Sequence, residues 1–144
     1  MGQRLSLITL GVGDLTRARA FYEDGLGWTP ISAEPDIVFY PLAPGIGLAL
    51  FPRDALAKDV GEPLAAPGGA ITLALNGRSV VEVDQAYARA IAAGGRAVKA
   101  PAPVFWGGYS GYFADLDGHL WELAHNPFCE ITPRGETLFS GSSD

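Results

Sequence analysis

Tyr109-Ser-Gly-Tyr-Phe-Ala-Asp-Leu-Asp-Gly-His-Leu-Trp-Glu-Leu-Ala-His-Asn126 is the stretch that decides the fold, and its pattern predicts two strands joined by a tight turn. Apolar and aromatic residues flank Asp115-Leu-Asp-Gly118, where Asp and Gly supply the hydrogen bonds and the positive φ that a chain reversal needs. The outgoing strand, Leu120-Trp-Glu-Leu-Ala124, carries one carboxylate inside an apolar run. Because a buried carboxylate without a partner is costly, Glu122 is the leading functional candidate.

The overall composition limits the classes of protein that the chain can belong to. Its 144 residues, 48% hydrophobic and 18% charged, predict a compact globular protein. The net charge of -6 and the lack of a basic run argue against a nucleic-acid partner. No apolar run is long enough to span a membrane, and the N-terminus lacks a secretory signal pattern. A single cysteine, Cys129, cannot form an internal disulfide, so we expect a cytoplasmic protein.

The hydrophobic periodicity predicts the same element order twice. Strand 5–12, a helix from residue 15 and three strands up to residue 51 are followed by strand 70–75, helix 79–93, strand 96–100 and the closing hairpin. At one constant offset, Phe39-Tyr40 aligns with Tyr112-Phe113 and Gly45 aligns with Gly118, which indicates an internal repeat. The predicted fold class is α+β, with two βαβββ modules in tandem forming a curved mixed sheet around a cleft.

This repeat also predicts the domain organisation. We expect a single domain over residues 1–144, with halves at about 3–60 and 68–127. The Pro-, Gly- and Ser-rich segment 128–144 is predicted to be a loosely held tail.

Two segments carry a resemblance to a known superfamily. Leu10-Gly-Val-Gly-Asp-Leu15, Ala20-Phe-Tyr22 and Gly25-Leu-Gly-Trp28 resemble the opening of the vicinal oxygen chelate superfamily, and the segment 111–123 resembles its closing hairpin. That superfamily includes glyoxalase I, extradiol dioxygenases and the bleomycin- and fosfomycin-resistance proteins. The resemblance covers residues 5–126 and implies the fold more strongly than the activity, since the fold hosts several chemistries.

The resemblance also implies where a metal would be held. Metal-using members bind a divalent ion through His, Glu or Gln residues on equivalent strands of the two halves. Carried over by position, these ligands fall at Leu7, Ala49, Ala70 and Glu122, and three of the four side chains have no donor atom. We therefore expect no cofactor, and a divalent metal is disfavoured because such an ion needs several oxygen or nitrogen ligands.

A ligand-binding wall is predicted from strand alternation. Leu7, Thr9 and Ala49 would line the cleft from the first half, and Ala70 and Thr72 from the second, with Thr9 and Thr72 at matching places in the repeat. The small residues in this set indicate open space.

An aromatic loop adds to this predicted site. Phe105, Trp106 and Tyr109 beside two glycines would form a lid over a planar ligand, or else would pin the loop to the core.

Glu122 admits three interpretations: a general acid or base, an anchor for a ligand amine or hydroxyl, or a structural group paired with an Arg, Tyr or Trp donor. The favoured hypothesis is a metal-free glyoxalase/bleomycin-resistance-like protein that binds a small aromatic or amphipathic molecule in an apolar cavity, for sequestration or resistance. The alternative is a lyase, isomerase or dioxygenase of the same superfamily that uses Glu122 as metal ligand or general acid/base. A third possibility is a stable dimer with a vestigial cavity, and a homodimer is expected in any case from the resemblance and the unpaired strand edges.

Overall fold

The computed structural model describes residues 1–43 and 45–139. The first module contains strand β1 (Leu7–Val12), helix α1 (Leu15–Ala20) with a following π-helical turn (Phe21–Gly25), and strands β2 (Ser32–Ala33), β3 (Val38–Leu42) and β4 (Ile46–Pro52). After helix α2 (Arg53–Val60) and a linker, the second module contains β5 (Thr72–Asn76), α3 (Val80–Ala92), β6 (Arg96–Pro103), β7 (Tyr109–Ala114) and β8 (Leu120–His125). None of the described helices is long and apolar enough to cross a membrane.

Each module builds a four-stranded mixed sheet, and the two sheets have the same topology. The strand orders are β1-β4-β3-β2 and β5-β8-β7-β6. The first and last long strands of each module pair in parallel, whereas their other neighbours are antiparallel. The predicted α+β class with two tandem βαβββ modules is confirmed.

The helices begin where the sequence supplies caps. The Asp14 carboxylate accepts the backbone N–H of Arg17 and so caps α1. Ser79 accepts the N–H of Glu82 in the same way at the start of α3, and Glu82 reaches back to the N–H of Arg78. The two modules therefore begin their helices by the same physical device.

The strand register corrects one detail of the predicted repeat. Thr9 lies opposite Ala49 in the first sheet, and Ala74 lies opposite Glu122 in the second. Because Ala49 and Glu122 are equivalent in the repeat, the counterpart of Thr9 is Ala74, and the predicted match of Thr9 with Thr72 is wrong.

The same correction applies to Leu7, whose counterpart is Thr72 and not Ala70. Ala70 lies before the start of β5, outside the sheet. The helix caps agree, since Asp14 follows Leu7 at the same spacing as Ser79 follows Thr72.

One aromatic core joins the two modules. The sheet faces turned toward the helices bury their side chains in a single cluster. The ring of Phe21 lies 6.3 Å from that of Phe113, and Tyr22 and Trp28 lie 6.2 and 5.8 Å from Trp121. Rings from the first module thus pack directly on strands of the second, and the two modules share one core.

The predicted loosely held tail is instead tied to the domain in its described part. Short strands β9 (Glu130–Ile131) and β10 (Thr137–Leu138) pair antiparallel. The Arg78 guanidinium donates to the carbonyls of Ile131 and Thr132 at 2.9 and 2.7 Å, and the Asn76 amide donates to the Thr137 hydroxyl at 3.2 Å. Residues 140–144 of the predicted tail lie outside the described residues.

Candidate functional site

Glu122 lies on β8 and is half-buried, with a tyrosine as its partner. Tyr112, directly opposite on β7, donates its hydroxyl to Oε2 of Glu122 at 2.9 Å. This hydrogen bond raises the pKa of Tyr112 above its usual value, with smaller contributions from burial and from the carboxylate charge. Of the three interpretations of Glu122, the structure supplies the predicted tyrosine donor, and it leaves the second carboxylate oxygen without a described protein partner.

The residues around Glu122 do not fit a divalent metal. Its neighbour on β5 is Ala74, and Thr72 offers one hydroxyl on the same face. Leu7 and Ala49 occupy the corresponding places of the first module and have no donor side chain. Among the described residues no three His, Cys, Asp or Glu side chains come close enough to hold an ion. One carboxylate and a phenol are too few ligands for Zn²⁺ or Ca²⁺.

Asp115 is a buried carboxylate, with 4% of its surface exposed. The sequence pattern predicted only a turn at this position. Asp115 accepts the hydroxyl of Tyr22 at 2.6 Å and the backbone N–H groups of Asp117 and His119 at 3.0 and 2.9 Å. The Trp121 indole N–H donates to the same Tyr22 oxygen at 3.1 Å. Burial, and then the Asp115 charge, raise the pKa of Tyr22 well above its usual value. This network locks the β7–β8 turn onto the first module, so its role is structural.

Both histidines bind backbone carbonyl groups. Nε2 of His119 lies 2.9 Å from the carbonyl oxygen of Gly11, and Nδ1 of His125 lies 3.1 Å from that of Gly77. Each contact joins the end of β8 to the end of another strand. Neither ring faces Glu122 as a ligand partner.

Two of the clefts between the modules contain predicted wall residues, and the larger of these two has a volume of about 790 Å³. It lies between β5, the β3–β4 turn and the end of the tail. Its walls are apolar and aromatic, and the polar side chains among its lining residues are few. The principal lining residues are Trp28, Tyr40, Leu42, Thr72, Ala74, Asn76, Trp121 and Thr137. Of the predicted wall residues, Thr72 lies here.

The smaller cleft, of about 390 Å³, adjoins the larger one, and Ile8 and Leu73 line both. It lies at the end of β1, beneath α2 and the linker 64–71, and beside the β7–β8 turn. The predicted wall residues Thr9 and Ala70 lie here, and so do Arg53 and His119. The larger apolar side chains in the lining include Ile8, Leu10, Leu56, Leu64, Leu73 and Leu120.

The remaining predicted site residues lie outside both clefts. Ala49 is fully buried, and Leu7 covers Gly47 on the outer side of β1. Glu122 also lines neither cleft. The predicted wall residues therefore lie partly in the larger cleft, partly in the smaller cleft and partly outside both.

The predicted aromatic lid covers neither cleft. Phe105 is fully exposed, and Trp106 folds over Gly108 so closely that a Cβ there would lie 1.9 Å from the indole. The Tyr109 hydroxyl donates to Asp84 on α3 at 2.6 Å. Phe105 and Trp106 are exposed, whereas Tyr109 packs against the core and contacts α3, so Tyr109 follows the alternative prediction that the loop is pinned to the core.

Two tandem βαβββ modules, each with a four-stranded mixed sheet, define a vicinal-oxygen-chelate type of fold. The chain matches the model of the Glyoxalase/Bleomycin resistance protein/Dioxygenase superfamily over residues 4–123, and it belongs to that superfamily. Comparison with curated proteins gives no significant match.

Several solved structures are similar to this chain. A glyoxalase-related enzyme from Fulvimarina pelagi is 39% identical with a TM-score of 0.90, the alignment covering 95% of this chain and 98% of that one. A glyoxalase/bleomycin resistance protein/dioxygenase from Nocardioides is 28% identical, with a TM-score of 0.70 and coverage of 87% and 84%. A glyoxalase/bleomycin resistance protein from Albidiferax ferrireducens T118 is 28% identical, with a TM-score of 0.67 and coverage of 85% and 98%.

Proposed function

We propose that this protein binds a small aromatic or amphipathic molecule in the larger cleft without using a metal, and that it serves to sequester or carry that molecule. The observation that supports this most directly is the cleft's size and lining. Its volume of about 790 Å³ lies in the range of ordinary small-molecule sites, and its lining is mainly apolar, with the half-buried ring of Trp28 beside the buried rings of Tyr40 and Trp121. Aromatic walls bind planar apolar ligands through area burial and ring stacking.

The polar groups of this cleft favour an uncharged ligand. No Asp, Glu, Lys or Arg occurs among its described lining residues. Asn76 and Thr137 are already bonded to one another, whereas the exposed Thr72 hydroxyl makes no described hydrogen bond. A ligand with one or two hydrogen-bonding groups on an apolar body matches this lining, because an unpaired charge would be costly there.

A second candidate function, a lyase or isomerase, is favoured by one separate observation. The hydroxyl of Tyr112 fixes the Glu122 carboxylate on an accessible sheet face, and one carboxylate oxygen stays available. A held carboxylate of this kind can take or give a proton at a bound substrate. The dioxygenase alternative lacks such support, because the side chains around Glu122 do not supply a metal-ligand set.

We also propose that the protein is a homodimer. Both sheets have open edges, at β1 and β2 in the first and at β5 and β6 in the second. Unpaired strand edges are available for pairing with another chain. Sedimentation equilibrium checks this: a concentration-independent monomer mass contradicts the dimer.

A fluorescence titration with N-phenyl-1-naphthylamine, a neutral aromatic probe, tests the binding function. We expect saturable binding to the wild-type protein and a loss of about tenfold or more in affinity for Ala74→Phe, because Ala74 is exposed on β5 and lines the cleft. Ala97→Phe is the matched control, since Ala97 is equally exposed on β6 and lines neither cleft. Binding that does not saturate, or that Ala74→Phe leaves unchanged, contradicts the proposal.

The enzyme candidate is tested by Glu122→Gln. If a substrate turned over by the wild-type protein is no longer turned over by this variant, while the affinity for the naphthylamine probe stays unchanged, the result supports a catalytic role of Glu122. If Glu122→Gln still turns the substrate over at the wild-type rate, the enzyme candidate is excluded for that substrate.

A further inference from the structure

The smaller cleft differs from the larger one by a positive charge. The lining of the smaller cleft contains one arginine, Arg53, and one histidine, His119. The described lining residues of the larger cleft include no Asp, Glu, Lys, Arg or His. His119 already contacts the carbonyl of Gly11 through Nε2. A guanidinium in a cleft lined mainly by apolar side chains, in a protein of net charge -6, is therefore the distinguishing feature of this cleft.

Most of the hydrogen-bonding capacity of Arg53 is unused. Its half-buried side chain makes one hydrogen bond in the described structure, from Nη2 to the carbonyl of Ala65 at 3.1 Å. The ion pair found among the described residues is Arg19 with Glu23, so no carboxylate of the described chain neutralises Arg53. A guanidinium has five N–H donors in a planar fork that matches a carboxylate.

The cleft is pre-formed around this group. At Gly11 a Cβ would lie only 3.1 Å from the Arg53 side chain and 3.2 Å from Leu64, so glycine lets the arginine stem and the linker lie against β1. At Gly68, φ is +77° and a Cβ would lie 2.8 Å from the carbonyl oxygen of Gly118. The linker that forms the roof is thereby seated on the β7–β8 turn, in a conformation that glycine adopts without strain.

We propose that the smaller cleft is a second binding site, specific for a small amphipathic monocarboxylate. The carboxylate pairs with Arg53, and a short alkyl or aryl tail lies on Leu10, Leu56 and Leu64, which line the smaller cleft and not the larger one. A volume of about 390 Å³ limits the ligand to a small molecule. The charge of Arg53 sets the preference for an anion, and the apolar floor sets the preference for a hydrocarbon tail over a purely polar acid.

Calorimetric titration with sodium octanoate and with octan-1-ol tests this assignment, since the two probes share a tail and differ in the charged head. We expect wild-type protein to prefer octanoate, and Arg53→Gln to weaken octanoate about tenfold while octan-1-ol binding stays unchanged. Arg53→Lys should recover part of the affinity for octanoate. Arg96→Gln, which removes an equal charge at an exposed position outside both clefts, should leave both affinities unchanged.

The location of binding is checked on the wild-type protein alone. Octanoate should shift the backbone amide resonances of Gly69 and Ile71 in the linker, and it should not displace N-phenyl-1-naphthylamine from the larger cleft. The absence of saturable octanoate binding, equal weakening of both probes by Arg53→Gln, or displacement of the naphthylamine overturns the second site. Failure of naphthylamine binding by itself overturns only the function proposed for the larger cleft, so the two proposals fail separately.

Discussion

Replacing Tyr22 by phenylalanine removes a single oxygen atom from the buried network that joins the two modules. That oxygen donates to the Asp115 carboxylate at 2.6 Å and accepts the Trp121 indole N–H at 3.1 Å. A hydrogen bond to a charged group contributes about 1.5–3 kcal/mol, and an indole N–H left buried without an acceptor costs about 1–3 kcal/mol. Because the two effects overlap, we expect Tyr22→Phe to lower the free energy of unfolding by about 2–4 kcal/mol.

Urea denaturation followed by tryptophan fluorescence and by far-ultraviolet circular dichroism measures this loss. We expect a lower midpoint with an unchanged m-value, since the variant should expose the same surface when it unfolds. Tyr87→Phe is the matched control, because Tyr87 packs against the core from α3 and its hydroxyl has no described hydrogen bond. The control should stay within about 0.5 kcal/mol of the wild type.

The reasoning is refuted if Tyr22→Phe loses less than about 1 kcal/mol at an unchanged m-value, or if Tyr87→Phe loses as much. Either result would mean that the Asp115 network does not hold the β7–β8 turn on the first module. A changed m-value would instead show that the variant exposes a different amount of surface on unfolding.

Three further predictions concern other parts of the molecule. Glu122→Gln should lower the pKa of Tyr112 toward its usual value, because the carboxylate then no longer favours the protonated phenol; an ultraviolet titration of tyrosinate that shows no change contradicts this. Burial, and then the charge of Glu23, raise the pKa of Tyr40 to about 12. Since an unfolded tyrosine ionises near pH 10, this contribution to stability is complete below about pH 10 and is lost as the pH rises to about 12. Tyr40→Phe should therefore reduce the loss of stability between about pH 10 and about pH 12, measured by urea denaturation, by about 2 kcal/mol. An alkaline loss equal to that of the wild type contradicts this. Arg78→Ala should release the tail by removing two hydrogen bonds to backbone carbonyls, so trypsin should cleave after Arg134 several-fold faster than in the wild type, and equal cleavage rates contradict this.

The order of helices and strands could be predicted from local sequence patterns, which do not depend on the tertiary structure. The caps at Asp14 and Ser79 and the turn residues around Gly118 act through neighbours a few residues away. Such signals can be recognised in the sequence because the interacting residues are close together in the chain. The repeat could be predicted for the same reason, since the same series of local patterns occurs twice in the same order.

The pairing of β1 with β4 and of β5 with β8 joins distant segments, and it shows that the predicted repeat match between β1 and β5 was two residues out. A shift of two residues preserves alternation, so it changes the matched partners without exchanging the two faces of the strand. Ala70 was consequently placed in a strand that begins only at Thr72.

The sequence by itself determined the βαβββ repeat and the position of the closing hairpin, because each depends on residue type at known spacing. Only the tertiary structure decided that Asp115 is the buried carboxylate, since its partner Tyr22 lies on the other module. It alone also placed Arg53 beside an apolar cleft, because that contact depends on how α2 and the linker fold back over β1. Burial and charge environment arise from segments far apart in the chain, and no local pattern records them.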